Sequence, residues 1–178
     1  MDPQHQPLMP NRQIAAMAVL VALGVILHRV EALLPLPSPW VKLGLANIMT
    51  LIALIFLGFK EACVVTVLRI LLSSILGGTF LSPTFFLSFV GGMAAILIMR
   101  PAYQDGNGPF SLLGVSVLSA CAHTLAIFGC VYLFLIPQGA FLNLLPLFFA
   151  LALVSGIFNG VAANHMTRRL FAEGISLK

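Results

Sequence analysis

Carboxylates are scarce in this chain. Its 178 residues include five acids, Asp2, Glu31, Glu61, Asp105 and Glu173. Asp2 and Asp105 fall in polar stretches, and Glu61 and Glu173 flank expected helix ends, so no two share a helix face. The DDxxD-like cluster that holds magnesium and a diphosphate is missing, and with it the ligands for metal-assisted phosphoryl or prenyl transfer. P-loop, HExxH, Cys/His-cluster and GxSxG patterns are missing too. The three cysteines, Cys63, Cys121 and Cys130, lie in apolar stretches without CxxC spacing and read as small buried residues. Charge of either sign is only 8%. Apart from Arg168-Arg169 the cations stand singly, without the basic run or aromatic-interleaved patch that nucleic-acid binding needs. No strand alternation, internal repeat or second domain is visible. Together these absences argue against an enzyme, a metal site, a bound cofactor and a nucleic-acid partner.

What is present is apolar. Hydrophobic residues make up 60% of the chain, and the mean hydropathy is +1.08. A soluble domain of this size carries more charge, so the class is an all-α integral membrane protein. A membrane span needs about 17–25 apolar residues. The sequence predicts six helices, at about 13–30, 43–59, 61–78, 83–100, 111–135 and 143–167. They form one domain over 12–170, between polar tails at 1–11 and 171–178. The apolar run after Arg12 lacks an A-x-A cleavage site and reads as a retained first helix.

The boundaries follow from helix breakers. Leu34 to Trp40 contains three prolines, which remove amide donors and clash with the preceding turn. Gly58-Phe59-Lys60-Glu61, Gly77 to Pro83, Pro101 to Pro109 and Ile136-Pro137-Gln138-Gly139 supply the other breaks. Six spans leave both termini on one side. That side carries Arg12, Lys60, Arg100, Arg168, Arg169 and Lys178, and the other carries Arg29 and Lys42. The asymmetry predicts cytoplasmic termini in an inner (cytoplasmic) membrane protein.

Arg69 is the residue that least fits a lipid-facing helix. It lies within the apolar stretch Ala62 to Leu76. A guanidinium near a span centre costs about 2.5–3.5 kcal/mol on insertion scales. Such a residue faces a cavity, a partner or a ligand. It sits roughly 13 Å from the inner end of its helix at 1.5 Å per residue, with Ser73 one turn further out. Trp40, Lys42, Asn47 and Thr50 lie in the same outer half. Lys42, Arg69 and Ser73 together suit an anionic group, because the arginine fork matches carboxylate or phosphate. The competing reading for Arg69 is a structural pair with Glu31 or with helix carbonyls. For Lys42 it is interfacial snorkelling. His123, mid-span in the fifth helix, is either an interhelical hydrogen bond or a second polar contact to a ligand. Asn159 reads as interhelical bonding. Ala18 and Ala22 form AxxxA in the first helix, and Ala152, Gly156 and Gly160 continue small-residue spacing in the last. Both are faces on which helices approach closely, either inside the bundle or against a partner.

Val41-Lys42-Leu43-Gly44-Leu45-Ala46-Asn47-Ile48, then Gly58-Phe59-Lys60-Glu61-Ala62, Leu68-Arg69-Ile70-Leu71 and Leu87-Ser88-Phe89-Val90-Gly91-Gly92, resemble the Gx transporter family, also labelled heptaprenyl diphosphate synthase component I. The resemblance covers about residues 12–170. That family is similar to the S components of energy-coupling factor (ECF) transporters. The resemblance implies a six-transmembrane-helix bundle with an outward-facing substrate pocket. It also implies a membrane coupling subunit that contacts an AxxxA face, here Ala18 and Ala22, and separate ATPases. The expected function is capture of a small, anionic, vitamin-like or isoprenoid-related solute, with Arg69, Lys42, Ser73, Asn47, Trp40 and His123 as the substrate-binding set. The alternatives are a non-transporting membrane subunit of a redox or lipid-biosynthetic complex, or a membrane component associated with heptaprenyl diphosphate synthesis.

Overall fold

Prolines and glycines divide a nearly continuous apolar sequence into helices. The computed structural model describes residues 11–33, 43–103 and 108–173. Within them lie α1 (Asn11–Ala32), α2 (Asn47–Phe56), α3 (Phe59–Leu76), α4 (Pro83–Tyr103), α5 (Leu112–Phe134), α6 (Gly139–Leu142) and α7 (Leu145–Ala172). No strand occurs among the described residues. Four segments are long and apolar enough to cross a membrane: α1, α4, α5 and the continuous Gly139–Ala172 stretch that joins α6 to α7. The chain is an all-helical membrane protein.

The expectation of six spanning helices holds only in part. The second element was expected over about 43–59, but α2 has ten residues. At 1.5 Å per residue it is about 15 Å long, half the hydrocarbon thickness. It is also buried on every side, since Met49, Thr50, Leu51, Ile52, Ala53 and Leu54 are all 3% exposed or less. α2 is therefore a half-length helix inside the bundle, packed against α1, α3 and α7. An apolar decapeptide looks the same in sequence whether lipid or protein surrounds it, so sequence does not set its length. α3 has 18 residues but carries Lys60, Glu61 and Arg69. The final expected helix is α7, which runs five residues further, and the four-residue α6 precedes it. Pro101 does not stop α4, which runs on to Tyr103. A proline in the last turn forfeits one backbone bond and breaks little beyond it.

Local chemistry accounts for the junctions. Gly58 joins α2 to α3 at φ 113°, a backbone region that disfavours side chains. Ser111 caps α5 by accepting the Gly114 N–H at 3.3 Å, as N-cap serines do. Pro146 lies in the first turn of α7, where a missing N–H costs nothing.

α5 packs on both α4 and α7. Small residues set the α5–α7 contact. A β-carbon added at Gly156 would lie 2.8 Å from the Val117 Cα, and one at Gly160 would lie 3.0 Å from the Leu113 Cα. The backbones therefore touch where these glycines sit, which assigns the small-residue spacing of the last helix to packing within the chain. Near the α5–α6 end, the Phe128 ring stacks on Phe141 with centroids 4.5 Å apart and meets Phe148 edge-on at 5.6 Å. Outward positions such as Leu72 and Ile75 of α3 or Val154 and Phe158 of α7 are exposed and apolar, as a lipid-facing surface requires.

Candidate functional site

α2 starts inside the bundle, and its free backbone groups must find partners there, because lipid supplies none. Glu31, in the last turn of α1, meets this need. One of its carboxylate oxygens accepts the Gly44 N–H at 2.9 Å, and the other accepts the Leu45 N–H at 3.1 Å. Glu31 is only 6% exposed. A carboxylate on the amides that lead into a helix is favoured twice, by charge-assisted hydrogen bonding and by the dipole. On the opposite side, Asn159 of α7 donates its Nδ2 hydrogens to the Leu43 carbonyl at 2.9 Å and the Gly44 carbonyl at 3.1 Å. Gly44 itself sits at φ 66°, so the chain can turn tightly between these two side chains.

The rest of α2 is tied down in the same way. Asn47 donates Nδ2 to the Ser119 hydroxyl of α5 at 3.1 Å, and Thr50 shares a 3.0 Å hydrogen bond with Thr66 of α3. Ser119 donates to the Ser116 carbonyl, and Ser116 donates to the Gly156 carbonyl at 2.8 Å. The break before α2 is thus held by α1, α5 and α7, which positions its polar groups around a common space.

That space is a partly open cavity whose polar lining includes Glu31, Asn47, Arg69, Ser88, His123 and Asn159. Its empty volume, mouth included, is about 540 Å³. The space inside is narrow, with room for about two waters. A solute larger than that enters only as the wall side chains part.

Arg69 dominates the wall. It is 7% exposed, and its Nε–H is buried without a hydrogen-bond acceptor. Its aliphatic stem lies over Gly24 of α1, where an added β-carbon would come within 3.2 Å of Cδ. Glu31 is within electrostatic reach of the guanidinium. Among the described residues, however, no ion pair joins the two; the carboxylate is instead bound to the backbone of Gly44 and Leu45. The expected alternative, a direct Arg69–Glu31 pair, is not what forms. The Asn159 Oδ1 is the second buried polar atom without a partner. Each such atom, sealed from water, costs about 1–3 kcal/mol or more.

The sequence-derived candidates separate here. Arg69, Asn47 and His123 line one cavity. Ser73 does not; its hydroxyl donates to the carbonyl of Arg69 in its own helix. Trp40 and Lys42 lie outside the described residues. His123 packs over Gly91 of α4, where an added β-carbon would come 2.8 Å from the ring, and it has a partner of its own. Ala18 and Ala22 lie on an exposed face of α1, well apart from the cavity lining. The sequence reading missed Glu31 as a backbone cap and Asn159 as a cavity wall, and it missed Ser88, Thr124 and Ser155 of the lining. The run of glycine and small residues after the prolines was the available signal, since an irregular backbone at membrane depth requires side-chain caps. Among the described residues, no group of three or more His, Cys, Asp and Glu residues is placed to hold a metal ion.

A solved structure, that of the S component of a bacterial ECF transporter, superposes with a TM-score of 0.71 at 18% identity, covering 91% of this chain and 96% of that one. The two share a fold. Among curated proteins, none matches this chain. Residues 20–166 match the family model described as heptaprenyl diphosphate synthase component I. The match takes in most of the chain, from within α1 to near the end of α7, and the protein therefore belongs to the heptaprenyl diphosphate synthase component I family.

Proposed function

We propose that this chain is the substrate-binding membrane subunit of an energy-coupled uptake transporter, and that its solute is small and anionic, of a vitamin-like or isoprenoid-related kind. The observation that carries the proposal is Arg69: a buried guanidinium with an unpartnered Nε–H in the wall of a partly open cavity. An anion entering this cavity satisfies the donor and offsets the buried charge together. The S-component fold supports the reading through architecture. In this reading both termini are cytoplasmic. The exposed Ala18 and Ala22 face of α1 meets a membrane coupling subunit, and separate ATPases drive release.

The test is purification from native membranes in mild detergent, with mass spectrometry of the proteins and small molecules that accompany the chain. A small acid bound to wild type and lost from Arg69→Met is the expected result. One charge-assisted hydrogen bond of about 1.5–3 kcal/mol corresponds to roughly 10- to 150-fold in affinity. The Met variant still folds, because no contacting counter-charge is stranded. Equal occupancy in both proteins refutes the anion site.

The family's description favours a second reading, a membrane component associated with heptaprenyl diphosphate synthesis. Co-purification of a soluble subunit carrying paired Asp clusters, in place of a membrane subunit with ATPases, would select it.

A further inference from the structure

We infer that the solute presents a hydrogen-bond donor as well as its anionic group, and that Asn159 is the residue that reads the donor. This rests on the substrate-binding function proposed above and narrows the class of solute to hydroxy or amino acids in the broad chemical sense.

Two buried polar atoms among the described residues lack partners, the Arg69 Nε and the Asn159 Oδ1. They belong to side chains that are 7% and 2% exposed, and both side chains line the same cavity. Their demands are opposite: the guanidinium needs an acceptor, and the amide oxygen needs a donor. The Asn159 amide cannot exchange these roles by rotating. Its Nδ2 donates to the carbonyls of Leu43 and Gly44, and a flipped amide would set Oδ1 against two carbonyl oxygens. The oxygen is therefore fixed as an acceptor.

No described protein group donates to the Asn159 Oδ1. The Asn47 Nδ2 is directed to Ser119. The Gly44 and Leu45 amides are taken by Glu31. Each Glu31 oxygen already accepts one of these amides, whereas the Asn159 Oδ1 accepts nothing. A simple carboxylate would answer Arg69 and leave Oδ1 unmet. A solute carrying both groups answers each, and a site built around such a hydrogen bond rejects analogues that lack it.

The test uses rigid probes of graded spacing: benzoate, the 2-, 3- and 4-hydroxybenzoates and their three methoxy counterparts. Binding to the full chain in detergent micelles is measured by thermal shift and by isothermal titration, with wild type, Arg69→Met and Asn159→Leu. The expected result is that at least one hydroxybenzoate binds about tenfold tighter than benzoate and than its own methoxy analogue, a difference of about 1.4 kcal/mol. Asn159→Leu should abolish that preference. If Asn159→Leu fails to fold, the hydroxy-to-methoxy ratio on wild type decides alone. Benzoates that bind through Arg69 with no hydroxy preference overturn the inference and leave the anion site standing. No binding by any probe, or binding unchanged in Arg69→Met, overturns the anion site itself and this inference with it.

Discussion

Glu31 is the residue whose replacement should be felt most widely. It is the side chain through which α1 holds the break before α2. The perturbation of choice is Glu31→Ala, with Glu31→Gln as its graded companion. Glu31 makes two bonds, to the Gly44 and Leu45 amides at 2.9 and 3.1 Å. Each is charge-assisted, worth about 1.5–3 kcal/mol. Alanine removes both and leaves two amides without acceptors in an interior where lipid offers none, a loss of about 3–6 kcal/mol. Glutamine keeps one neutral acceptor worth about 1 kcal/mol and turns an NH2 group toward the second amide, a loss of about 2–4 kcal/mol. These losses are a large share of a small domain's total stability. The assay is unfolding of the full chain in mixed micelles, combined with hydrogen exchange at Gly44 and Leu45. The order of stability should be wild type, then Gln, then Ala, with faster exchange at these two amides in both variants. Wild-type unfolding together with unchanged exchange in Glu31→Ala would refute the capping argument.

Three further expectations follow from packing and charge. Gly156→Leu forces α7 away from the Val117 backbone and should destabilise the chain by about 1–3 kcal/mol or more, read in the same unfolding assay. Ala18→Leu with Ala22→Leu changes only exposed positions of α1; the isolated bundle should unfold as wild type while co-purification of a coupling subunit is lost, and loss of bundle stability would count against a partner face. In a background where Cys63, Cys121 and Cys130 are replaced, a cysteine at Gln138 should react with an impermeant maleimide on intact cells and one at the exposed Phe110 should not; the reverse pattern would invert the orientation inferred from the basic residues.

Much of this protein was legible in its sequence because a membrane permits so few solutions. A chain this apolar and this poor in charge must close its own backbone hydrogen bonds, and helices do that locally. Glycine and proline then mark where each helix ends, and α1, α3, α4 and α5 lie within a few residues of their expected positions. Arg69 stood out for the same reason, since a lone guanidinium among apolar residues is costly wherever the chain places it. Composition also kept the carboxylates too few and too scattered for a metal–diphosphate cluster.

The tertiary structure decided the rest, because those features depend on what surrounds a residue. Lipid is as apolar as leucine, so sequence could not distinguish the buried half-helix α2 from a full span. Glu31 and Asn159 act on backbone groups of Leu43, Gly44 and Leu45; the glycine-rich run signals that caps are needed there, but only the fold shows which side chains reach it. Gly156 and Gly160 on one side, and Ala18 and Ala22 on the other, carry the same small-residue spacing, yet the first pair packs against α5 and the second is exposed. Only the helix packing separates them. Arg69 and Asn159 stand ninety residues apart in the chain, and it is the fold, through a helix broken inside the bundle, that sets an unmet donor and an unmet acceptor in one cavity.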